Sequence, residues 1–215
     1  MTGFGTQSRD YSYGIRNEGV LNAGYGNDRL EGTGYDGLFN AEDAQISMGD
    51  GNDRIVGNGS TAEGANSYGL VNYGTISMET GRDSIIGSNS TLGIFNQGLI
   101  LMGDGADTVD ALIGNTPGGF SGVDGIIDCG KGNDVVKGFG EGTFLGGDGS
   151  DTLILQDGEY TFTASGNDFL VTAATGSLAS MRINSFENLG GALDTTFQPI
   201  TGATFMIQDG KVVIP

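Results

Sequence analysis

The chain has 215 residues, enough for one domain with a substantial interior, and 37% of them are hydrophobic. It carries 27 acidic against nine basic residues, a net charge of −18, which excludes the basic surface that nucleic acid or an anionic membrane requires. A single cysteine excludes an intramolecular disulfide framework, three prolines exclude a proline-rich linker, and the 42 glycines lack the strict third-position spacing of collagen.

At the N-terminus, MTGFGTQSRDYSYG has no charged segment followed by an apolar one, so no cleavable secretory signal is expected. Residues 1–12 are expected to form an N-terminal cap. No apolar run reaches eighteen residues, so no membrane insertion is expected.

From residue 13 the sequence repeats itself. Six segments align: AGYGNDRLE (23–31), MGDGNDRIV (48–56), METGRDSII (78–86), MGDGADTVD (102–110), CGKGNDVVK (129–137) and GGDGSDTLI (146–154). The sixth position is always aspartate: Asp28, Asp53, Asp83, Asp107, Asp134 and Asp151. The eighth is always aliphatic: Leu30, Ile55, Ile85, Val109, Val136 and Leu153. Twenty of the 27 acids fall between Glu18 and Asp151, so the charge is concentrated in this region.

A second block precedes most loops: GIRN (14–17), GLFN (37–40), GLVN (69–72), GIFN (93–96) and GIID (125–128). Short apolar runs between glycine corners read as short strands joined by tight turns, and no stretch has a sustained helical period. Stacking such repeats puts Leu21, Ile46, Ile76 and Ile100 in one inward column and Ala23, Met48, Met78, Met102, Cys129 and Gly146 in another. Cys129 is therefore expected as a buried substitute for methionine. Asn17, Asn40, Asn72 and Asn96 are expected to form an amide ladder at a turn.

The loops suit Ca²⁺, which takes six to eight oxygens from carboxylates and carbonyls at 2.3–2.6 Å. Glycine lets several carbonyls converge, here at Gly24, Gly26, Gly49, Gly51, Gly103, Gly105, Gly130, Gly132, Gly147 and Gly149. The sixth-position aspartates supply charge, and Asp50, Asp104 and Asp148 add a second carboxylate at position three of their loops. Loop 78–86 is degenerate, with Glu79 and Thr80 replacing the usual residues and Arg82 beside Asp83. The weakest occupancy is expected there. An EF-hand does not fit, because GDGNDRIVGNGSTAE (49–63) has no glycine at the sixth position after Asp50. No phosphate-binding G-x-x-x-x-G-K-[ST] occurs.

The loop pattern resembles the G-G-x-G-x-D-x-U-x nonapeptide of the repeats-in-toxin (RTX) family, which binds Ca²⁺ in a parallel β-helix. The resemblance implies an all-β, right-handed parallel β-solenoid or β-roll-like fold over 13–155, with about five Ca²⁺ sites between successive loops. The family places nonapeptides in tandem, whereas here only 129–154 approaches that spacing, so calcium along one edge of wide turns is expected. Five sites, each filled at about ten times its dissociation constant, would add on the order of 7 kcal/mol, comparable with the stability of a whole domain. The calcium-free chain is expected to be disordered at least in part.

After Leu155 come alternating strands at 158–164, 168–174 and 177–186, a turn at ENLGG (187–191), and a last strand over 203–215. Residues 156–215 are expected to form a C-terminal β cap, and their resemblance to RTX C-termini implies a type I secretion region. The whole implies a non-enzymatic calcium-binding protein, secreted or held at the cell surface of a Gram-negative-type bacterium. Its partners would be calcium, the type I secretion machinery and an extracellular glycan or cell surface. The alternatives are a glycan-binding or adhesive module, or a calcium-dependent polysaccharide-modifying enzyme module. Against the last, the chain has no histidine to act as general base.

Overall fold

The computed structural model describes residues 2–4, 12–60, 67–89, 92–113, 119–174 and 179–213. Of the expected N-terminal cap, only 2–4 and 12 fall within them. The described residues form β-strands without a helix, arranged in sheets that are mostly parallel.

The chain visits four sheets in a fixed order and then starts again. One circuit runs through Asp36–Asn40 in a five-stranded sheet and Gln45–Ser47 in an eleven-stranded sheet. The loop at 48–53 comes next, then Arg54–Asn58 in a nine-stranded sheet. Tyr68–Asn72 then returns to the five-stranded sheet, beside Asp36–Asn40. From the third loop on, the loop bottoms pair as a fourth sheet of two-residue strands: Thr80–Gly81, Asp104–Gly105, Lys131–Gly132 and Asp148–Gly149.

Register keeps like residues in contact. In the nine-stranded sheet Leu30 pairs with Ile55, Ile55 with Ile85, Ile85 with Val109, Val109 with Val136, and Val136 with Leu153. The eleven-stranded sheet stacks Ile46, Ile76, Ile100, Ile127 and Phe144 in the same way. With Leu38, Leu70 and Ile94 of the five-stranded sheet, these side chains are at most 2% exposed and form one continuous core. Each contributes on the order of 1.5–3 kcal/mol, but only because the neighbouring circuits cover it.

Met48, Met78, Met102 and Cys129 occupy the expected inward column, and the Cys129 thiol is buried. Ala23 does not, because the first circuit has no neighbour on one side and leaves it exposed. The amide ladder is present: Asn17 Nδ2 donates to Asn40 Oδ1, Asn40 to Asn72, and Asn72 to Asn96, each at 2.8 Å.

Three local expectations need correction. GIID (125–128) is not a fifth member of the G-[IL]-x-N column. Ile126–Asp128 pairs with Leu99–Leu101 in the eleven-stranded sheet, and Phe120–Ser121 takes the place beside Ile94 and Phe95. The ENLGG segment is not a turn, since Asn188–Gly191 is a strand parallel to Thr152–Leu155. The last strand is two, Thr204–Gln208 and Lys211–Val213, reversed at Asp209–Gly210. Asp209 and Gly210 have φ 54 and 70, the left-handed pair that an Asp-Gly hairpin turn requires.

Parallel pairing continues past Leu155 after an inserted hairpin, Gly158–Ser165 with Asp168–Ala173. Ser180–Asn184 lies parallel to Gly142–Leu145 on one side and antiparallel to Asp168–Ala173 on the other. The switch of direction ends the parallel ladder and covers an edge that would otherwise template further strands.

Candidate metal centre

Each loop turns from the eleven-stranded to the nine-stranded sheet, and its sixth-position aspartate sits where the second of these strands begins. Parallel register therefore stacks the six aspartates into a row. Asp28 donates its backbone N–H to Asp53 Oδ1, Asp53 to Asp83, Asp83 to Asp107, Asp107 to Asp134, and Asp134 to Asp151, all at 2.7–2.8 Å. Glu187, not identified from the sequence, extends the row by accepting from the Asp151 N–H at 2.8 Å. The signal was an acid two residues before Leu189, which pairs with Leu153, but no glycine loop accompanies it.

One oxygen is thus used in each carboxylate from Asp53 to Asp151, and the other is not; Asp28, at the start of the row, takes part through its N–H. The Oδ2 atoms of Asp28, Asp53, Asp83, Asp107, Asp134 and Asp151 are all buried without a hydrogen-bond partner. Six such orphans in one row are far outside the usual frequency of unsatisfied buried groups and suit a cation or a proton. Burial, reinforced by neighbouring charges in the row, pushes Asp83 and Asp134 up to about 6 and Asp107 up to about 7. Burial also raises Asp53 and Asp151. Bonds from backbone N–H groups act in the opposite direction but do not cancel it.

The loop glycines form columns beside this row. A Cβ on Gly49 would lie 1.8 Å from the carbonyl oxygen of Gly24, and one on Gly103 would lie 1.7 Å from that of Glu79. At position four the approach is closer still: a Cβ on Gly132 would lie 1.3 Å from Gly105 O. Gly132 also has φ +144, so no other residue fits there. Carbonyl oxygens at positions two and four therefore recur from loop to loop, and those of Glu79, Gly103 and Gly130 accept from the position-three N–H of the next loop, which leaves each a second lone pair.

In the degenerate loop, Glu79 holds position two with φ 72, a conformation that glycine takes in the neighbouring loops, at φ 94 for Gly49 and 97 for Gly103. Its carboxylate accepts from Ser47 Oγ at 2.6 Å. Asp83 nevertheless takes its place in the row, and the sequence change is confined to the outer part of the loop.

The position-three carboxylates lie apart from the row. Asp50, Asp104 and Asp148 are exposed. Asp50 accepts from Thr80 Oγ1 at 2.7 Å, and Asp104 pairs with Lys131 Nζ at 3.0 Å. Among the described residues no three Cys, His, Asp or Glu side chains converge on one point. A cation between loops would thus draw most of its oxygens from the backbone, which is chemistry that Ca²⁺ tolerates and softer metals do not. The donor set fits in kind: a hard carboxylate oxygen already desolvated, and columns of carbonyls in the same loops.

No family model and no curated protein matches the chain.

Proposed function

We propose that the protein is a calcium-binding β-solenoid of RTX type, in which Ca²⁺ lies between successive loops and drives folding. The observation that carries it is the row of six buried aspartate oxygens without a donor. A bound cation would satisfy each oxygen and offset the repulsion within the row. The ligands would be Asp28, Asp53, Asp83, Asp107, Asp134 and Asp151 with neighbouring loop carbonyls. Asp50, Asp104 and Asp148 would act by concentrating cations at the edge. When bound, Ca²⁺ supplies charge and coordination only.

Export by a type I system, with folding outside the cell where calcium is plentiful, is the context this reading implies. The product would be a rigid, acidic, non-enzymatic scaffold, secreted or at the cell surface. Extracellular calcium modules commonly bind at about 10⁻⁴–10⁻³ M, which would leave this chain unfolded inside the cell.

Circular dichroism during calcium titration, with an EDTA control, tests the proposal. Ordered β-structure should develop with calcium, and isothermal titration should count about five ions. A chain fully ordered in EDTA and unchanged by calcium would refute it.

A further inference from the structure

A groove of about 500 Å³ lies away from the aspartate row, at the corner between the five-stranded and eleven-stranded sheets. Turn length creates it. Two residues, Tyr73–Gly74 and Gln97–Gly98, join the strands ending at Asn72 and Asn96 to those starting at Thr75 and Leu99. The corresponding turns on either side are four residues long, 41–44 and 122–125. The long turns stand as two ridges, three strand spacings or about 14 Å apart, and the short turns form the floor. A Cβ on Gly98 would lie 2.0 Å from Gly74 O, so this part of the floor stays free of side chains.

The lining has a consistent chemistry. Tyr73, 40% exposed, is held between Phe39 and Phe95, with ring centroids 5.7 and 5.4 Å away. Its exposed part is an aromatic surface that needs little further ordering. Around it stand hydrogen-bonding groups on exposed side chains: Glu42, Asp43 and the adjoining Gln45 on one side, Asp124 on the other, and Gln97 between. No lysine or arginine is among the described lining residues. A peptide could not add here as a strand, since Thr75–Ser77 is already paired on both sides.

We propose that this groove binds an oligosaccharide of uncharged pyranose units. A pyranose ring offers an apolar C–H face to an aromatic platform and hydroxyl groups to carboxylates and amides, which are the two kinds of group present. The carboxylates on both ridges repel uronate chains, so the charge selects as well as binds. None of these residues belongs to the aspartate row, so failure here would leave the calcium proposal intact.

The test is isothermal titration of the calcium-saturated protein with cellopentaose, N-acetylchitopentaose and pentagalacturonate. Saturable binding of at least one uncharged chain is expected, with none for galacturonate. Tyr73→Ala and Asp124→Arg should each weaken it at least about tenfold, while Tyr25→Ala, an exposed aromatic elsewhere, should leave it unchanged. Unchanged circular dichroism shows that the variants fold, and Gln97→Ala, on an exposed side chain, replaces Tyr73→Ala if that one does not. No saturable binding, a preference for galacturonate, or binding indifferent to these groove substitutions would overturn the proposal.

Discussion

Asp83 donates its backbone N–H to Asp107 Oδ1 at 2.7 Å, while the other oxygen of Asp107 is buried with no donor at all. The same half-satisfied arrangement recurs at Asp53, Asp83, Asp134 and Asp151, so whatever occupies the second oxygen acts on all these levels together. Protons and Ca²⁺ are the two candidates, and they compete.

Stability without calcium should therefore depend on pH in an unusual direction. Asp83, Asp107 and Asp134 titrate at about 6, 7 and 6 in the folded chain, above their ordinary value of 3.8. Between these limits the folded chain binds more protons than the unfolded one. Their stabilisation is then fully present below about pH 4 and lost as pH rises through 6–7. In EDTA, the ordered fraction read by circular dichroism should fall between about pH 5 and pH 8, and saturating calcium should remove that fall. An ordered fraction in EDTA that rises over this interval would contradict the arrangement of the row.

Asp107→Asn separates the two occupants. The amide oxygen still accepts from Asp83, but the charge is gone and the neighbours are relieved of its repulsion. In EDTA near pH 8 the variant should be more ordered than the parent. In saturating calcium it should be less stable and bind fewer ions. Circular dichroism in EDTA and a denaturation curve in calcium check this crossing, and a change of the same sign in both would count against a metal row.

Glu79→Gly should repair the degenerate loop. Glu79 holds φ 72, which costs a non-glycine residue about 1 kcal/mol or more, and glycine removes that strain. The gain is reduced by loss of the Ser47 Oγ contact and by the greater freedom of glycine in the unfolded chain. A net stabilisation of about 0.5–1 kcal/mol is expected in thermal unfolding, with tighter calcium binding. Destabilisation would mean that the Ser47–Glu79 contact outweighs the strain.

The aspartates of the row and the inward Ile and Met columns were legible in the sequence because parallel register repeats one contact at every level. Ile46, Ile76 and Ile100 had to share a face once the loops were aligned. Glu187 was not legible, because its level arrives after an inserted hairpin and without glycines to mark it. GIID misled because a Gly-Ile-x-acid string serves equally well in either sheet. Only the pairing of Ile127 with Ile100 distinguishes them. The groove beside Tyr73 depends on two extra residues in each flanking turn, a difference that has no meaning until the turns are stacked.

Asn72 allows fold and metal to be tested apart. It lies in the middle of the amide ladder, fully buried, accepting from Asn40 Nδ2 and donating to Asn96 Oδ1. The ladder runs along the corner between the five-stranded and eleven-stranded sheets, whereas the aspartate row lies where the loops enter the nine-stranded sheet. Asn72→Leu leaves Asn40 and Asn96 each short of a partner in the interior, at a cost on the order of 3 kcal/mol. That loss should be similar in EDTA at about pH 5 and in saturating calcium, because no group of the ladder ionises. The number of calcium ions bound to the folded variant should not change. Denaturation under both conditions with a calcium count decides it, since a loss confined to calcium would place the ladder and the metal row in one cooperative site.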